Sequence, residues 1–277
     1  MPAPDRYAVI GHPIAHSRSP QIHALFARQT HQSMTYTALD VTPEELAVRV
    51  REFFATGGSG LNVTVPHKEA VIALTASLSA RACTAGAANT ILRDAAGNLI
   101  ADNTDGAGLV RDLTHNLHIG VRAQRVLLVG AGGAARGVLA PLLELGPREL
   151  VIANRGVERA LALASAFAAL GPVRGAGFGE LDRSCFDLII NATAAGLQAQ
   201  VPLLPPGVIG PTTICYDLIY AGGDTHFMRW ARQHGAAQAH MGLGMLVEQA
   251  AESFYLWRGV RPDTTPVLAA LAAEPTH

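Results

Sequence analysis

The stretch VLLVGAGGAA, residues 126–135, constrains this chain more than any other. Four apolar residues read as a buried strand. Gly130, Gly132 and Ala135 then spell G-x-G-x-x-A at the start of a helix-forming segment. The first glycine permits a tight turn, the second lets a pyrophosphate approach the backbone, and the small third residue lets helix and strand pack closely. Ala131, Gly132, Gly133 and Ala134 carry N–H groups near the helix start, where phosphate is favoured. A Rossmann-type dinucleotide-binding domain is expected; the competing reading is a glycine turn that serves packing alone.

The next strand, ELVIAN (149–154), predicts which dinucleotide. An NAD site would place Asp or Glu near its end to hold the ribose 2′-hydroxyl. Here Asn154 and Arg155 stand there, with Arg159 one turn on. A guanidinium pairs with a 2′-phosphate and stacks on adenine, which points to NADP. The alternative leaves these arginines as solvated surface residues.

Strand-like and helix-like segments alternate along the whole chain. YAVIG (7–11), a helix over 19–30 with Ser19 as N-cap and Pro20 at its first position, TYTALDV (35–41), a helix over 42–56 opening on Thr42, Pro43, Glu44 and Glu45, and a strand over 61–65 come first. This βαβαβ rhythm predicts an α/β fold with a mostly parallel sheet. Further strands are expected near 88–93 and 98–102. A second series starts near residue 124. The helix LGMLVEQAAESFYLWRG lies beyond it and is expected to return to the first domain. Two α/β domains follow: an N-terminal substrate domain of residues 1–105 plus 242–277, and a Rossmann-type domain of residues 106–241.

Composition narrows the function classes. Hydrophobic residues make up 49% of the 277, and the formal net charge is −1, so nothing favours nucleic acid or a membrane surface. No apolar run reaches the roughly 18 residues of a spanning helix. The start, MPAPDRYAVIG, lacks a basic region followed by an apolar one, so no secretory signal is expected. Cys83, Cys185 and Cys215 read as buried thiols in a cytoplasmic protein. The 11 histidines show no metal-ligand spacing, and no metal is expected. The partner is a small molecule, and the chain is expected to act as a monomer or homodimer.

The first domain carries a polar constellation. In LNVTVPHK, Asn62 and Thr64 alternate with Leu61, Val63 and Val65, and Lys68 follows Pro66. Ser17 and Ser19 follow the first strand, Asn89 lies in GAANTI, and Thr104 and Asp105 lie in DNTDGAG. Ligands of open parallel sheets bind at the carboxyl ends of the strands. Hydroxyls and amides without an aromatic platform or a basic cluster suit a compact polyhydroxylated molecule. Taken singly, Ser19 and Asp105 read equally well as helix N-caps, and Lys68 as a solvated lysine.

The motifs GHPIAHSRSP, LNVTVPHK, GAANT, DNTDGAG, VGAGGAARG, ANR, NAT, YDLIY and GLGMLVEQA resemble, in order and spacing, those of shikimate dehydrogenases, over roughly residues 7–270. The resemblance implies NADP-dependent interconversion of 3-dehydroshikimate and shikimate, a step of aromatic amino-acid biosynthesis. It implies that Ser17 and Ser19 hold the substrate carboxylate. Asn62, Thr64, Lys68, Asn89, Asp105 and Gln249 would contact the ring hydroxyls, with Tyr220 nearby. Lys68 and Asp105 would form the catalytic pair. Thr193, Leu218 and Gly242 would join the glycine turn, Asn154, Arg155 and Arg159 around the cofactor. The sequence departs from the usual pattern at His12, Arg18, Gly156, Met241 and Leu218. Gly156 replaces a threonine and removes one hydroxyl from the 2′-phosphate site.

Reducing a ketone develops negative charge on its oxygen, and an acid must supply a proton. Lys68 is the expected donor, oriented by Asp105. A carboxylate neighbour favours the charged lysine, so fixed positive charge with a proton arriving through water is an alternative. Two rival functions are a quinate or dual quinate/shikimate dehydrogenase and a dinucleotide-binding sensor without chemistry.

Overall fold

The computed structural model describes residues 3–181, 185–198 and 200–273. The chain forms two units, one of residues up to Gly108 together with Leu246–Ala273, the other Leu109–Met245.

The first unit begins with β1 (Asp5–Gly11), α1 (Ser19–Gln29), β2 (Met34–Asp40), α2 (Leu46–Ala55) and β3 (Gly58–Val63). It continues with β4 (Ser77–Leu78), α3 (Ala80–Ala85), β5 (Thr90–Arg93), β6 (Leu99–Asp102) and α4 (Asp105–Arg111). The strands form one six-stranded sheet in the order β2-β1-β3-β5-β6-β4. β1 is parallel to β2 and β3, whereas β5 is antiparallel to β3 and β6. That reversal positions the site. It brings the start of β5 to the edge where β1, β3 and β6 end. One face of the sheet packs Ala8, Ile10, Leu61, Val63 and Ile91 against Val50, Phe53 and Phe54 of α2.

The second unit holds β7 (Arg125–Val129), α5 (Gly133–Glu144), β8 (Glu149–Asn154), α6 (Val157–Phe167), β9 (Val173–Gly177), β10 (Leu188–Asn191), β11 (Ile214–Asp217), α7 (His226–Gln233) and β12 (Gln238–Met241). Its sheet runs β12-β11-β10-β7-β8-β9, with every pairing parallel. This is the doubly wound order, whose switch point lies between β7 and β10. Residues of β7 alternate between two cores: Val126 and Leu128 join one, Leu127 and Val129 the other. A strand buried on both faces has to read as a continuous apolar run. α8 (Leu243–Arg258) and α9 (Thr265–Ala273) follow. The boundaries between the units fall inside α4 and α8.

Four local expectations are corrected. Arg18, not Ser19, occupies the N-cap position of α1, and Ser19 is its first helical residue. Ser17 Oγ accepts the Ser19 N–H at 3.3 Å, so the preceding serine serves that backbone group. The second helix starts at Leu46 rather than Thr42. The Glu45 carboxylate folds back onto the Thr42 N–H (3.2 Å) and hydroxyl (3.1 Å), closing a turn before the helix. β3 ends at Val63, and Val65, expected on the apolar face, is exposed. Finally, only Cys215 is buried; Cys83 and Cys185 are exposed. In α3 the buried positions are Ala82 and Ala85, which turns Cys83 outward.

Candidate active site

In the first unit, Lys68 Nζ donates to Asp105 Oδ2 at 2.6 Å, and both side chains are largely buried. Asp105 opens α4 but does not act as its N-cap. Its own N–H donates to Asn103 Oδ1 at 3.1 Å, which leaves the carboxylate for Lys68 and Asn89. Asn89 precedes β5, and its Nδ2 lies 3.0 Å from Asp105 Oδ1, 2.8 Å from Thr104 Oγ1 and 3.0 Å from Gln249 Oε1. Its Oδ1 accepts the Thr104 N–H at 2.8 Å. Lys68, Asn89, Asp105 and Gln249 thus form one hydrogen-bonded cluster.

Asn62 extends that cluster. It is in register with Thr90 on β5, and Thr90 with Asp102 on β6. Asn62 Nδ2 faces Asn89 O (3.1 Å), Thr90 Oγ1 (3.2 Å) and Ser253 Oγ (3.0 Å), and Asn62 Oδ1 accepts the Tyr36 hydroxyl at 2.7 Å. The polar face of β3 therefore meets the protein's own polar groups at Asn62. Ser17, Ser19 and Thr64 take no part in these bonds; the two serines lie on the segment that leads from β1 into α1, and Thr64 directly follows β3. Gly11 lets Thr64 approach: a Cβ there would sit 2.5 Å from Thr64 Cγ2.

Beneath Asp105, the Asp102 carboxylate is gripped by Arg81 and Ser79 and accepts the Asn103 N–H at 2.6 Å. Burial alone would raise the Asp102 carboxyl. The Arg81 and Ser79 hydrogen bonds more than offset this and hold it below the usual carboxylate range. Tyr36, Arg81, Thr90, Asp102, Asn103 and Ser253 were not among the expected site residues. The only sequence signal for them is their place in or beside the strands and loops that carry the site.

In the second unit, the residues expected at the cofactor follow the carboxyl ends of parallel strands. Gly130 comes after β7, Asn154 ends β8, Thr193 comes after β10, Leu218 after β11 and Gly242 after β12. Gly130 has φ 111°, the left-handed region open to glycine, and a Cβ at Gly132 would meet nothing within 4 Å. Gly133 and Ala134 open α5, whose N-cap Gly132 makes no side-chain cap bond. Its first N–H groups are therefore free of a side-chain cap. Arg159 Nη2 donates to Ala131 O at 3.2 Å, so that guanidinium reaches the glycine turn, and Arg155 is exposed. Asn191 Oδ1 accepts the Thr193 N–H and hydroxyl, and Leu218 N–H donates to Asn191 O at 2.9 Å. Gly242 N–H donates to Ile219 O at 3.1 Å. Asp217 supports this edge: its Oδ1 accepts Asn191 Nδ2 at 3.0 Å, and burial pushes its carboxyl up. Tyr220 belongs to this unit, whereas the other residues expected at the substrate belong to the first. An open glycine turn, an uncapped helix start and two arginines beyond β8 fit a 2′-phosphorylated dinucleotide.

A doubly wound sheet with this turn, in one chain with a buried lysine–aspartate pair ringed by amides and hydroxyls, defines a dinucleotide-dependent oxidoreductase. Three family profiles match the chain: "Shikimate dehydrogenase substrate binding domain" over residues 9–91, "Shikimate / quinate 5-dehydrogenase" over 112–198 and "Shikimate 5'-dehydrogenase C-terminal domain" over 242–272. A shikimate dehydrogenase (NADP(+)) of Methylococcus capsulatus is 54% identical over 274 residues, covering 99% of this chain and 98% of the relative. An Ael1 enzyme from Pseudomonas putida aligns with a TM-score of 0.89 at 45% identity, over 98% of this chain and 99% of that one. Shikimate 5-dehydrogenase from Thermus thermophilus, solved with NADP(H) and shikimate, aligns with a TM-score of 0.84 at 35% identity, over 96% and 98%. The chain belongs to the shikimate dehydrogenase family.

Proposed function

We propose that this chain catalyses the reversible NADP-dependent reduction of 3-dehydroshikimate to shikimate, in the shikimate pathway of aromatic amino-acid biosynthesis. The observation that carries the reading is the buried Lys68–Asp105 pair at 2.6 Å, bonded to the uncharged Asn89 amide, which in turn bonds Thr104 and Gln249. When bound, NADPH supplies the hydride. Lys68 meets the negative charge that develops on the carbonyl oxygen and delivers the proton to it, in a site where fixed charge acts more strongly than in water. Asp105 holds the ammonium in place and hydrogen-bonds the hydroxyl. Ser17 and Ser19 hold the substrate carboxylate; Asn62, Thr64, Asn89, Tyr220 and Gln249 meet the remaining polar atoms. Gly130 to Ala134 cradle the pyrophosphate, Asn154, Arg155 and Arg159 hold the 2′-phosphate, and Thr193, Leu218 and Gly242 flank the nicotinamide. Residues up to Gly108 with Leu246–Ala273 serve as the substrate unit, and Leu109–Met245 as the NADP unit.

The enzyme works in the cytoplasm as a monomer or homodimer. Three free thiols suit a reducing compartment.

Initial rates with shikimate and quinate, each with NADP and NAD, test the proposal. Shikimate with NADP should be the fastest pair by a wide margin. Comparable quinate turnover would make the enzyme dual. Undetectable turnover with normal NADPH binding would make the protein a sensor and overturn the reading.

A further inference from the structure

We propose that the Thr90 hydroxyl is a positioning residue for this reaction. It aligns Asn89, Asp105 and Lys68 through a one-way hydrogen-bond chain that starts at Tyr36. The inference rests on the reading of Lys68 and Asp105 as the reacting pair.

The direction of the chain follows from which groups can donate. The ionised Asp105 carboxylate only accepts, so the Asn89 group 3.0 Å from it has to be the NH2. That turns Asn89 Oδ1 the other way, where the Thr104 N–H donates to it. The Thr90 hydroxyl, 2.9 Å from Asn89 Oδ1, then has to donate as well. Having given its one proton, Thr90 Oγ1 can only accept from its other neighbours, Asn62 Nδ2 at 3.2 Å and the Ser253 hydroxyl at 2.8 Å. Asn62 thereby has its amide oxygen on the far side, where the Tyr36 hydroxyl donates at 2.7 Å. Each bond from Tyr36 through Asn62, Thr90 and Asn89 donates toward Asp105, where Lys68 closes the chain.

Thr90 is the node of this chain. It is fully buried, and one oxygen accepts from two side chains and donates to a third. Aligned bonds polarise one another, and a single wrong orientation breaks the whole run. Without the Thr90 proton, Asn89 Oδ1 keeps only Thr104 as a donor, and the Asn89 amide is freer to turn away from Asp105. The hydroxyl acts through Asn89 and touches neither substrate nor cofactor.

The test compares Thr90→Val, which keeps the shape and removes the hydroxyl, with Thr90→Ser, which keeps it. In shikimate oxidation, Thr90→Val should lower kcat about tenfold, the scale of one lost hydrogen bond, with the KM for NADP unchanged. Thr90→Ser should restore most of the loss. Tyr36→Phe should lower kcat in the wild-type background and add nothing in the Thr90→Val background, because the chain is already cut. Exchange of the Asn89 side-chain amide protons, followed by NMR on the protein without ligands, should be at least about tenfold faster in Thr90→Val than in Thr90→Ser. Equal losses in the two Thr90 variants, independent effects of Tyr36→Phe and Thr90→Val, or unchanged Asn89 exchange would each overturn the proposal. The exchange measurement needs no turnover, so a wild-type protein inactive on shikimate would count against the proposed reaction and leave the chain to be judged on its own result.

Discussion

Arg81 grips Asp102 with a two-pronged fork, Nε to Oδ1 at 3.0 Å and Nη2 to Oδ2 at 2.8 Å. The remaining Arg81 nitrogen reaches Glu252 on α8 at 2.9 Å. Asp102 in turn fixes the Asn103 N–H, and Asn103 fixes the backbone of Asp105. The fork is thus the base on which the Asp105 carboxylate stands.

Replacing Arg81 by lysine keeps the charge and loses the fork, which a point charge cannot reproduce. A hydrogen bond to a charged group is worth about 1.5–3 kcal/mol, and Arg81 is partly solvated, so a stability loss of roughly 1–2 kcal/mol is expected. Urea denaturation should show it, and kcat for shikimate should fall without a change in NADPH affinity.

His23 makes the fold sensitive to acid. It is fully buried, both ring nitrogens lack partners among the described residues, and its ring stacks on Tyr36 with centroids 4.1 Å apart. Burial pushes its pKa down to about 3. In the unfolded chain it titrates near 6.5. Between those values the unfolded state binds the extra proton, so the full stability present above about pH 6.5 is lost progressively as pH falls. From pH 7 to pH 5 this amounts to about 2 kcal/mol. Urea titrations at the two pH values measure it, and His23→Phe should remove that part of the difference.

In the proposed function, Arg155 is the residue that sets the choice of dinucleotide. Arg155→Ala should raise the KM for NADP about tenfold to a hundredfold, the loss of one charged hydrogen bond, and leave the KM for NAD nearly constant. Equal effects on both cofactors would place Arg155 outside the 2′-phosphate site.

The glycine turn was legible because its signal is local: a buried strand, Gly130, Gly132 and a helix lie within ten residues. The apolar alternation of Leu61 and Val63 was likewise read from strand periodicity. Lys68 and Asp105 stand out as a pair only through the resemblance of LNVTVPHK and DNTDGAG to the family's motifs; taken singly, they read equally well as a solvated lysine and a helix N-cap. The support around them was hidden. Nothing in GAANTI marks β5 as antiparallel, yet that reversal brings Asn89 to the site. Thr90 and Ser253 are 163 positions apart in sequence, so their contact exists only after α8 returns to the first sheet. Strand periodicity places Asn62 on the polar face of β3, but it does not reveal that the same amide also meets Tyr36, Thr90 and Ser253. Ser19 was misread as a cap because residue type alone does not tell which of two nearby serines serves the backbone.

The central claim is that the Lys68 ammonium acts on the reacting oxygen, and turnover of Lys68→Ala with shikimate and NADP tests it most directly. General acid–base help is typically worth about 10²–10⁴-fold, so kcat should fall at least about a hundredfold while the Kd for NADPH stays within about twofold. Turnover close to wild type in that variant would contradict the account.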